Sequence, residues 1–528
     1  MTPARSGPPR SLAEAVRERA ERDPDGELVR LVGGPAWTAA ALHDRATTLA
    51  RGLARVVRPG DAVVTSVDPG PETIALTTAL SLIGAVEVAL PDGTDPGWAE
   101  RLSRDSGSVL AVADPSRLAT EHALDPLERL SPLGVVRTRP TGSTWSEVTL
   151  DDLAAEPRPL PRHEPILATP ALVVPTSGTT GRVKGALLPN GAAIGQARRV
   201  QRAMAYGVDD VVFSFFPWQH INARHAAFLP AALAGARVVI GRRFSASRFW
   251  EIAAVEGVTA FNFMGAVCAM LLRRPAGELD RAHAVTRAYG GPAPAWLVRE
   301  MAARFDVQLR QAYACTELGD VATTGVRVRP GAAGVPVPEY ELQVRDDAGT
   351  PVPDGDTGEL VVRPRAPHLT FTGYVGNPEA TRRAWQDGWF RTGDQVRLDH
   401  GWLFFEGRSA DVIRRRGHNI SAVAVEDAVA TFDGVAEVAA VAVPSELTED
   451  EVLVVVVPCG DSLDPEALHR HCRSVLPRHA VPRYVSVEPA LPRSANLKVL
   501  RRDLRDRGLP ASSWDAETRL TTSAQELG

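Results

Sequence analysis

Between Val173 and Gly185 the chain reads VVPTSGTTGRVKG. The small hydroxyl side chains Thr176, Ser177, Thr179 and Thr180 are interleaved with Gly178 and Gly181, and Arg182 and Lys184 follow. Glycine admits backbone conformations closed to other residues and lets the main chain approach a guest closely. Such a loop can therefore aim many N–H groups and hydroxyls at one point. A polyphosphate suits that cradle, with Lys184 adding a point charge. The spacing is not that of a Walker A loop, because Lys184 follows Val183 and precedes Gly185. A Ser/Thr/Gly run is equally the composition of a solvated linker. The apolar Leu172–Val174 before the loop and Ala186–Leu188 after it speak for a positioned loop.

Elements must hold it in place. Leu172–Val174 reads as the end of a buried strand stopped by Pro175. Upstream, Ser11 caps a predicted helix to Arg22, a second amphipathic helix spans Trp37–Val57, and Asp61–Thr65 reads as a strand. Glu72–Leu82 reads as a helix leading to the strand Ala85–Leu90. This alternation predicts βαβ units and an α/β fold of largely parallel, helix-covered sheets. Residues 114–166 give weak signals, and residues 1–10, rich in Pro, Gly and Arg, read as a disordered N-terminus. Val211–Phe216 is a β-type run. After Asp411 a small α/β unit is expected, with strands Val438–Val443 and Val452–Val457 and a helix over Pro465–Leu476.

Composition sets the class. The 528 residues suffice for several cores, and 44% hydrophobic with 23% charged residues is ordinary for a globular protein. A net charge of −5 offers no electrostatic case for nucleic acid or an anionic membrane. Cys268, Cys315, Cys459 and Cys472 show no metal or disulfide spacing, so a reducing cytoplasm is expected. No apolar leader is visible, and the apolar stretch Ile74–Leu90 contains Glu87 and is short for a membrane span.

TSGTTGRVKG resembles the phosphate signature of the adenylate-forming superfamily of acyl-CoA synthetases, nonribosomal adenylation domains and luciferases, with Val183 where proline is usual. Its other motifs follow in order. PWQHINAR resembles the segment bordering the acyl pocket, which implies that His220 lines it; on chemistry alone His220 is a satisfied structural histidine. TAFNFMGAVCAMLL would supply more wall, Phe263 and Gly265 included, or ordinary core. Tyr289–Pro294 is similar to the glycine-proline turn beside adenine, with Gly290, Gly291 and Pro292 letting a flat base lie on the backbone. QAYACTE resembles YGxTE. This implies Tyr313 against adenine, Thr316 on a phosphate oxygen and Glu317 as the carboxylate ligand of Mg²⁺. Cys315 has no basic partner and reads as a structural thiol. GWFRTGD resembles GWxxTGD, in which Asp394 accepts hydrogen bonds from both ribose hydroxyls and Arg408 assists. RRRGHNIS resembles RRGENIS, with Gly417 lining the route of the thiol and the arginines near the CoA phosphates or the interdomain surface. LPRSANLK resembles LPRxxxGK, which makes Lys498 the catalytic lysine, followed by Arg501. Ala410, His418, Ala424 and Leu497 depart from the pattern, all in the hinge or beyond it.

The resemblance implies a large N-terminal domain over 11–408 binding ATP and acid, a hinge at 409–411, and a small mobile α/β domain over 412–528. It implies activation of a small-molecule carboxylic acid by ATP and Mg²⁺ as acyl-AMP, with release of pyrophosphate, then transfer to CoA. The closest likeness is to bacterial fatty-acid and carnitine-CoA-type ligases. The small-domain departures keep open another acceptor: an acyl carrier protein thiol, an amine, or nitrite activation for diazotisation. A non-catalytic adenylate sensor is a further alternative, opposed by the retained Lys184, Glu317, Asp394, Arg408 and Lys498.

Overall fold

The computed structural model describes residues 7–91, 94–114, 135–137, 148–177, 183–445, 449–460, 462–493 and 498–517. Among these, Gly7–Arg10 are placed, and Arg10 N donates to Glu14 Oε2 (2.7 Å), so only residues 1–6 of the expected disordered segment lie outside the description. Ser11 caps the helix Leu12–Arg22 by accepting from Glu14 N. The helix expected over Trp37–Val57 is shorter. Ala36–Thr38 is an edge strand, and Thr38 caps the helix Ala39–Leu53. In the weakly patterned region lie a strand at Val135–Arg137 and a helix at Leu150–Ala155.

Described strands of the large domain form three sheets. A nine-stranded sheet runs Val335–Pro336, Gly319–Thr323, Gln308–Cys315, Arg287–Gly290, Ala260–Phe263, Val211–Ser214, Arg237–Ile240, Glu27–Leu31 and Ala36–Thr38, with a parallel centre. A seven-stranded sheet carries Pro170–Ser177 between Val86–Ala89 and Val183–Pro189. A third, antiparallel sheet brings Trp389–Asp399 beside Trp402–Arg408. Parallel strands need both faces covered, which is why Val212, Val239, Ala260 and Phe261 have no solvent exposure and share one core with the helices around them. That core also holds Phe263, fully buried, and Phe261 meets Phe249 edge to face at 4.9 Å.

Pro175 does not end its strand. The strand continues to Ser177 and pairs antiparallel with Val183–Pro189, Thr176 opposite Lys184. Beyond Val173 its other edge is no longer paired with Val86–Ala89, so the missing proline N–H leaves no ladder bond unmade. After Arg408 comes a single 3-10 turn, Ser409–Asp411, and then the hairpin Ile413–Arg415/His418–Ile420. The four-stranded sheet begun by Val435–Pro444 and Asp450–Pro458 packs its own core, with Val425, Val454 and Leu468 wholly buried. Arg415, expected near CoA phosphates or the interdomain face, is instead buried in this unit. Its Nη1 donates to the carbonyls of His479 (3.0 Å) and Val481 (2.9 Å), and its Nε lies 2.6 Å from Glu451. Burial of this guanidinium follows from backbone carbonyls and a buried carboxylate that need a cation; Arg414 and Arg416 stay exposed.

Candidate active site

The run expected to hold phosphate joins the paired strands Pro170–Ser177 and Val183–Pro189. Gly178, Thr179, Thr180 and Gly181 lie outside the described residues, and of Ser177 the backbone alone is described. At its base, Thr176 Oγ1 donates to Lys184 O at 3.5 Å. The Lys184 ammonium stands 4.6 Å from the centre of the Tyr374 ring, and the Tyr374 hydroxyl donates to Glu317 Oε1 (2.8 Å). Desolvation lowers the Lys184 pKa, the carboxylate of Glu317 opposing it. One phenol thus joins the lysine expected on the phosphates to the carboxylate expected on the metal. Tyr374 was not singled out from sequence, although it follows Gly373 in a two-residue strand that pairs with the loop's own hairpin.

Thr316 and Glu317 sit in the turn between Gln308–Cys315 and Gly319–Thr323, both half-buried. The turn is fastened from behind. Phe371 N donates to Glu317 O (2.7 Å), while Tyr340 Oη (2.5 Å) and Arg199 Nη2 (3.4 Å) donate to Leu318 O. Burial, then the neighbouring carboxylates of Glu317 and Asp394, raise the Cys315 pKa well above its ordinary value, so the thiol stays protonated and is no nucleophile. Glu317 with the adjacent Thr316 hydroxyl offers hard oxygen donors. That set suits Mg²⁺, which is held by one or two carboxylates plus the substrate's phosphates.

Gly290 ends the strand Arg287–Gly290 and Gly291 follows it, and a Cβ on Gly290 would come within 1.9 Å of Phe263 O. Pro292 presents its carbonyl to Gly265, where a Cβ would lie 2.6 Å from it. Ala293 N donates to Gln311 Oε1 (2.7 Å), which pins this turn to the strand bearing Tyr313. Tyr313 Oη donates to Asp394 Oδ2 at 2.5 Å, and Arg408, opposite Asp394 across the ladder, places Nε 3.3 Å from Oδ1. That Oδ1 is buried and accepts no hydrogen bond among the described residues. Burial raises the Asp394 pKa, against the pull of Arg408, Tyr313 and Lys498. A buried acceptor lacking a donor is what a ribose hydroxyl would satisfy.

From the small domain, Lys498 lies within electrostatic reach of Asp394 and Arg408. The residue is exposed by surface area but crowded by protein. Desolvation, then the cations Arg408 and Arg501, lower its pKa to about 8, with Asp394 and Asp411 opposing. Burial, and after it Lys498, push the His220 imidazole down to about 4. His220 Nδ1 accepts from Asn222 N (3.2 Å), so His220 caps a short helical turn at the rim of the cleft. Gly417 (φ +78°) occupies the exposed turn of the Ile413–Arg415/His418–Ile420 hairpin, where its amide donates to Glu449 Oε2 (2.9 Å).

A separate pocket is lined by Leu80, Leu172, Trp218, Arg224, His225 and Phe228 among others. Arg224 is buried and bidentate on Glu87 (2.5 and 2.6 Å). Thr65 Oγ1 adds a third bond to that carboxylate (2.6 Å). Glu87 was noted in sequence only as an interruption of an apolar stretch; its partner stands far along the chain. Burial and the charges of Arg224 and His220 push His225 down to about 3, so it is neutral.

Residues 16–375 match the family described as AMP-binding enzyme, and residues 424–498 its C-terminal domain. The chain is 30% identical over 502 residues to the sulfoacetate–CoA ligase of Cupriavidus necator, across 93% of this chain and 96% of that protein. It is 27% identical over 471 residues to the crotonobetaine/carnitine–CoA ligase of Proteus mirabilis, across 85% and 89%. Its fold matches the anthranilate CoA ligase AuaEII in complex with anthranoyl-AMP, with a TM-score of 0.87 at 19% identity over 94% of this chain and 97% of that one.

Proposed function

This chain belongs to the family of AMP-binding enzymes, and from that premise we propose that it is an acyl-CoA ligase: it activates a carboxylic acid with ATP as an acyl adenylate, releases pyrophosphate, and passes the acyl group to the thiol of CoA. What supports this reading most is that the small domain's Lys498 lies within electrostatic reach of Asp394, Arg408 and His220, near the carboxylate with the unfilled acceptor. Attack of a carboxylate on the α-phosphorus sets an anion against a polyanion. Cations fixed where that charge develops lower the barrier. Lys184 and the Thr176–Gly181 loop hold the phosphates, Tyr313 with Gly290, Gly291 and Pro292 holds adenine, and Asp394 with Arg408 holds ribose. Thr316 and Glu317 complete the phosphate and metal side, and Lys498 stabilises the charge on the oxygens in transit. Mg²⁺, when bound at Glu317, supplies further charge neutralisation at the phosphates. Ser409–Asp411 serves as the hinge, Gly417 lines the approach of the thiol, and the cytoplasm supplies ATP and CoA.

The acid lies toward His220, with Phe263 and Gly265 behind it. Arg224, four residues beyond His220, lines the neighbouring apolar pocket, where Glu87 already neutralises it. We therefore assign an acid whose body is uncharged. The test is carboxylate-dependent ATP–pyrophosphate exchange over short, fatty, aryl and dicarboxylic acids plus nitrite, with and without CoA, products identified by mass. Exchange plus an acyl-CoA from an acid with an uncharged body supports the reading. Exchange without a CoA adduct moves the acceptor to a carrier protein or an amine. ATP binding with no exchange overturns the assignment in favour of a sensor.

A further inference from the structure

Arg273 ends the helix Gly265–Leu272 of the large domain, as its C-cap. Its Nη1 donates to Glu437 Oε1 at 2.9 Å, across 164 residues of sequence and from one domain to the other. Glu437 lies at a bulge near the start of the small-domain strand Val435–Pro444, where the ladder with Asp450–Pro458 slips by a residue after Val435. Its second oxygen, Oε2, accepts from Arg493 Nη2. Arg493 in turn pairs with Val499 as an isolated antiparallel bridge, and Leu500 N donates to Pro492 O (2.9 Å). Lys498 is the neighbour of Val499. One carboxylate therefore ties the base of the lysine hairpin to the body that holds Asp394.

The linkage is half-buried, with side-chain exposures of 27% for Arg273, 17% for Glu437 and 19% for Arg493. Ion pairs this sheltered are weakly screened, and charge-assisted bonds fix geometry better than neutral ones. Arg273 Nη2 is buried and makes no hydrogen bond among the described residues, so Glu437 supplies its anchoring interaction. Any turn of the small domain about Ser409–Asp411 would have to part Arg273 from Glu437, while Glu437 and Arg493 would travel together. We propose that Glu437 is a positioning residue that, through Arg273 and Arg493, holds Lys498 against the adenylate-forming site. This rests on the ligase reading above. It acts in the first half-reaction and opposes the second.

The test separates the half-reactions in Arg273→Glu, Glu437→Gln and Arg273→Lys. In the first two, pyrophosphate exchange at saturating ATP falls roughly ten- to hundredfold, as expected when a reacting group is misplaced by about an ångström. Transfer to CoA from a supplied acyl adenylate is unchanged or faster, and Arg273→Lys keeps most of the exchange. A second readout does not depend on turnover. Spin labels on the exposed native Cys459 and on Val255→Cys, at a position exposed in the large domain, report the interdomain distance. One distance dominates in the parent, and a second population grows in Arg273→Glu and Glu437→Gln. Equal loss of both half-reactions, or an unchanged distance distribution, overturns the proposal. If the parent itself catalyses no exchange, the ligase reading fails, and the distance measurement alone decides whether the linkage fixes the domains.

Discussion

At the scale of single residues, Lys498 is the group whose role is sharpest. Lys498→Ala should lower pyrophosphate exchange by about a hundredfold or more, the usual effect of losing a charge-stabilising contact. ATP affinity, measured by calorimetry, should change far less, because the lysine acts on charge that develops in transit. Equal loss of both would remove it from the chemistry. With a pKa near 8, Lys498 is charged below that value and loses its charge as pH rises through it. The kcat/KM for ATP, which reports the free enzyme, should therefore fall above about pH 8. Lys498→Arg, if active, should lose that alkaline limb. In the sequence this lysine was legible only through the LPRxxxGK likeness, since nothing local marks it. Asp394 was named only through the GWxxTGD likeness, and its unfilled Oδ1 was not foreseeable, because that depends on Tyr313 and Arg408 arriving from other strands.

At the scale of elements, alternating strand and helix patterns gave the α/β class and placed the strands they named within a few residues of the observed ones. Misreadings arose where tertiary pairing overrode local signals. Trp37 joined a sheet edge, and the strand ran through Pro175 because that edge needed no donor. Arg415 went inward because its partners lie in Glu451 and two distant carbonyls. The strand Val86–Ala89 carries Glu87 into a bond with Arg224 that no short window could reveal. Burial pushes the Glu87 pKa up, but the Arg224 charge and hydrogen bonds from Arg224 and Thr65 outweigh it, leaving the pKa lowered. A depressed carboxylate stabilises fully above its unfolded value, roughly 4.3. That contribution is lost as pH falls through the lower folded value. Glu87→Gln should destabilise the large domain by about 3–5 kcal/mol, because it leaves Arg224 buried and unpaired. Calorimetry would show it as a lowered transition. Glu87→Gln with Arg224→Met should recover most of the loss; failure to recover would mean the pair's geometry, not its charge, is what matters.

At the scale of the whole molecule, two packed bodies are joined by one short turn, and a sheltered ion pair and a bond from Ser421 Oγ to Glu406 O both cross between them. Arg414 and Arg416 are exposed just beyond that turn and offer trypsin a site between the bodies. A non-hydrolysable acyl-adenylate analogue, bound between Asp394 and Lys498, should slow cleavage there severalfold. An unchanged rate would argue that the ligand does not bridge the domains. Domain order was readable from the succession of motifs; the contact between domains was not, since Arg273 and Glu437 belong to no motif.

The bond between Glu87 and Arg224 also bears on how this catalyst could change over generations. It keeps a cation in reserve at the wall of the cavity, masked by a carboxylate on a neighbouring strand. Replacing that one carboxylate would unmask the guanidinium and turn a neutral wall into a receptor for anionic tails, at a cost in stability that must first be met elsewhere in the fold. What such a change would draw on is the thermal margin of the large domain.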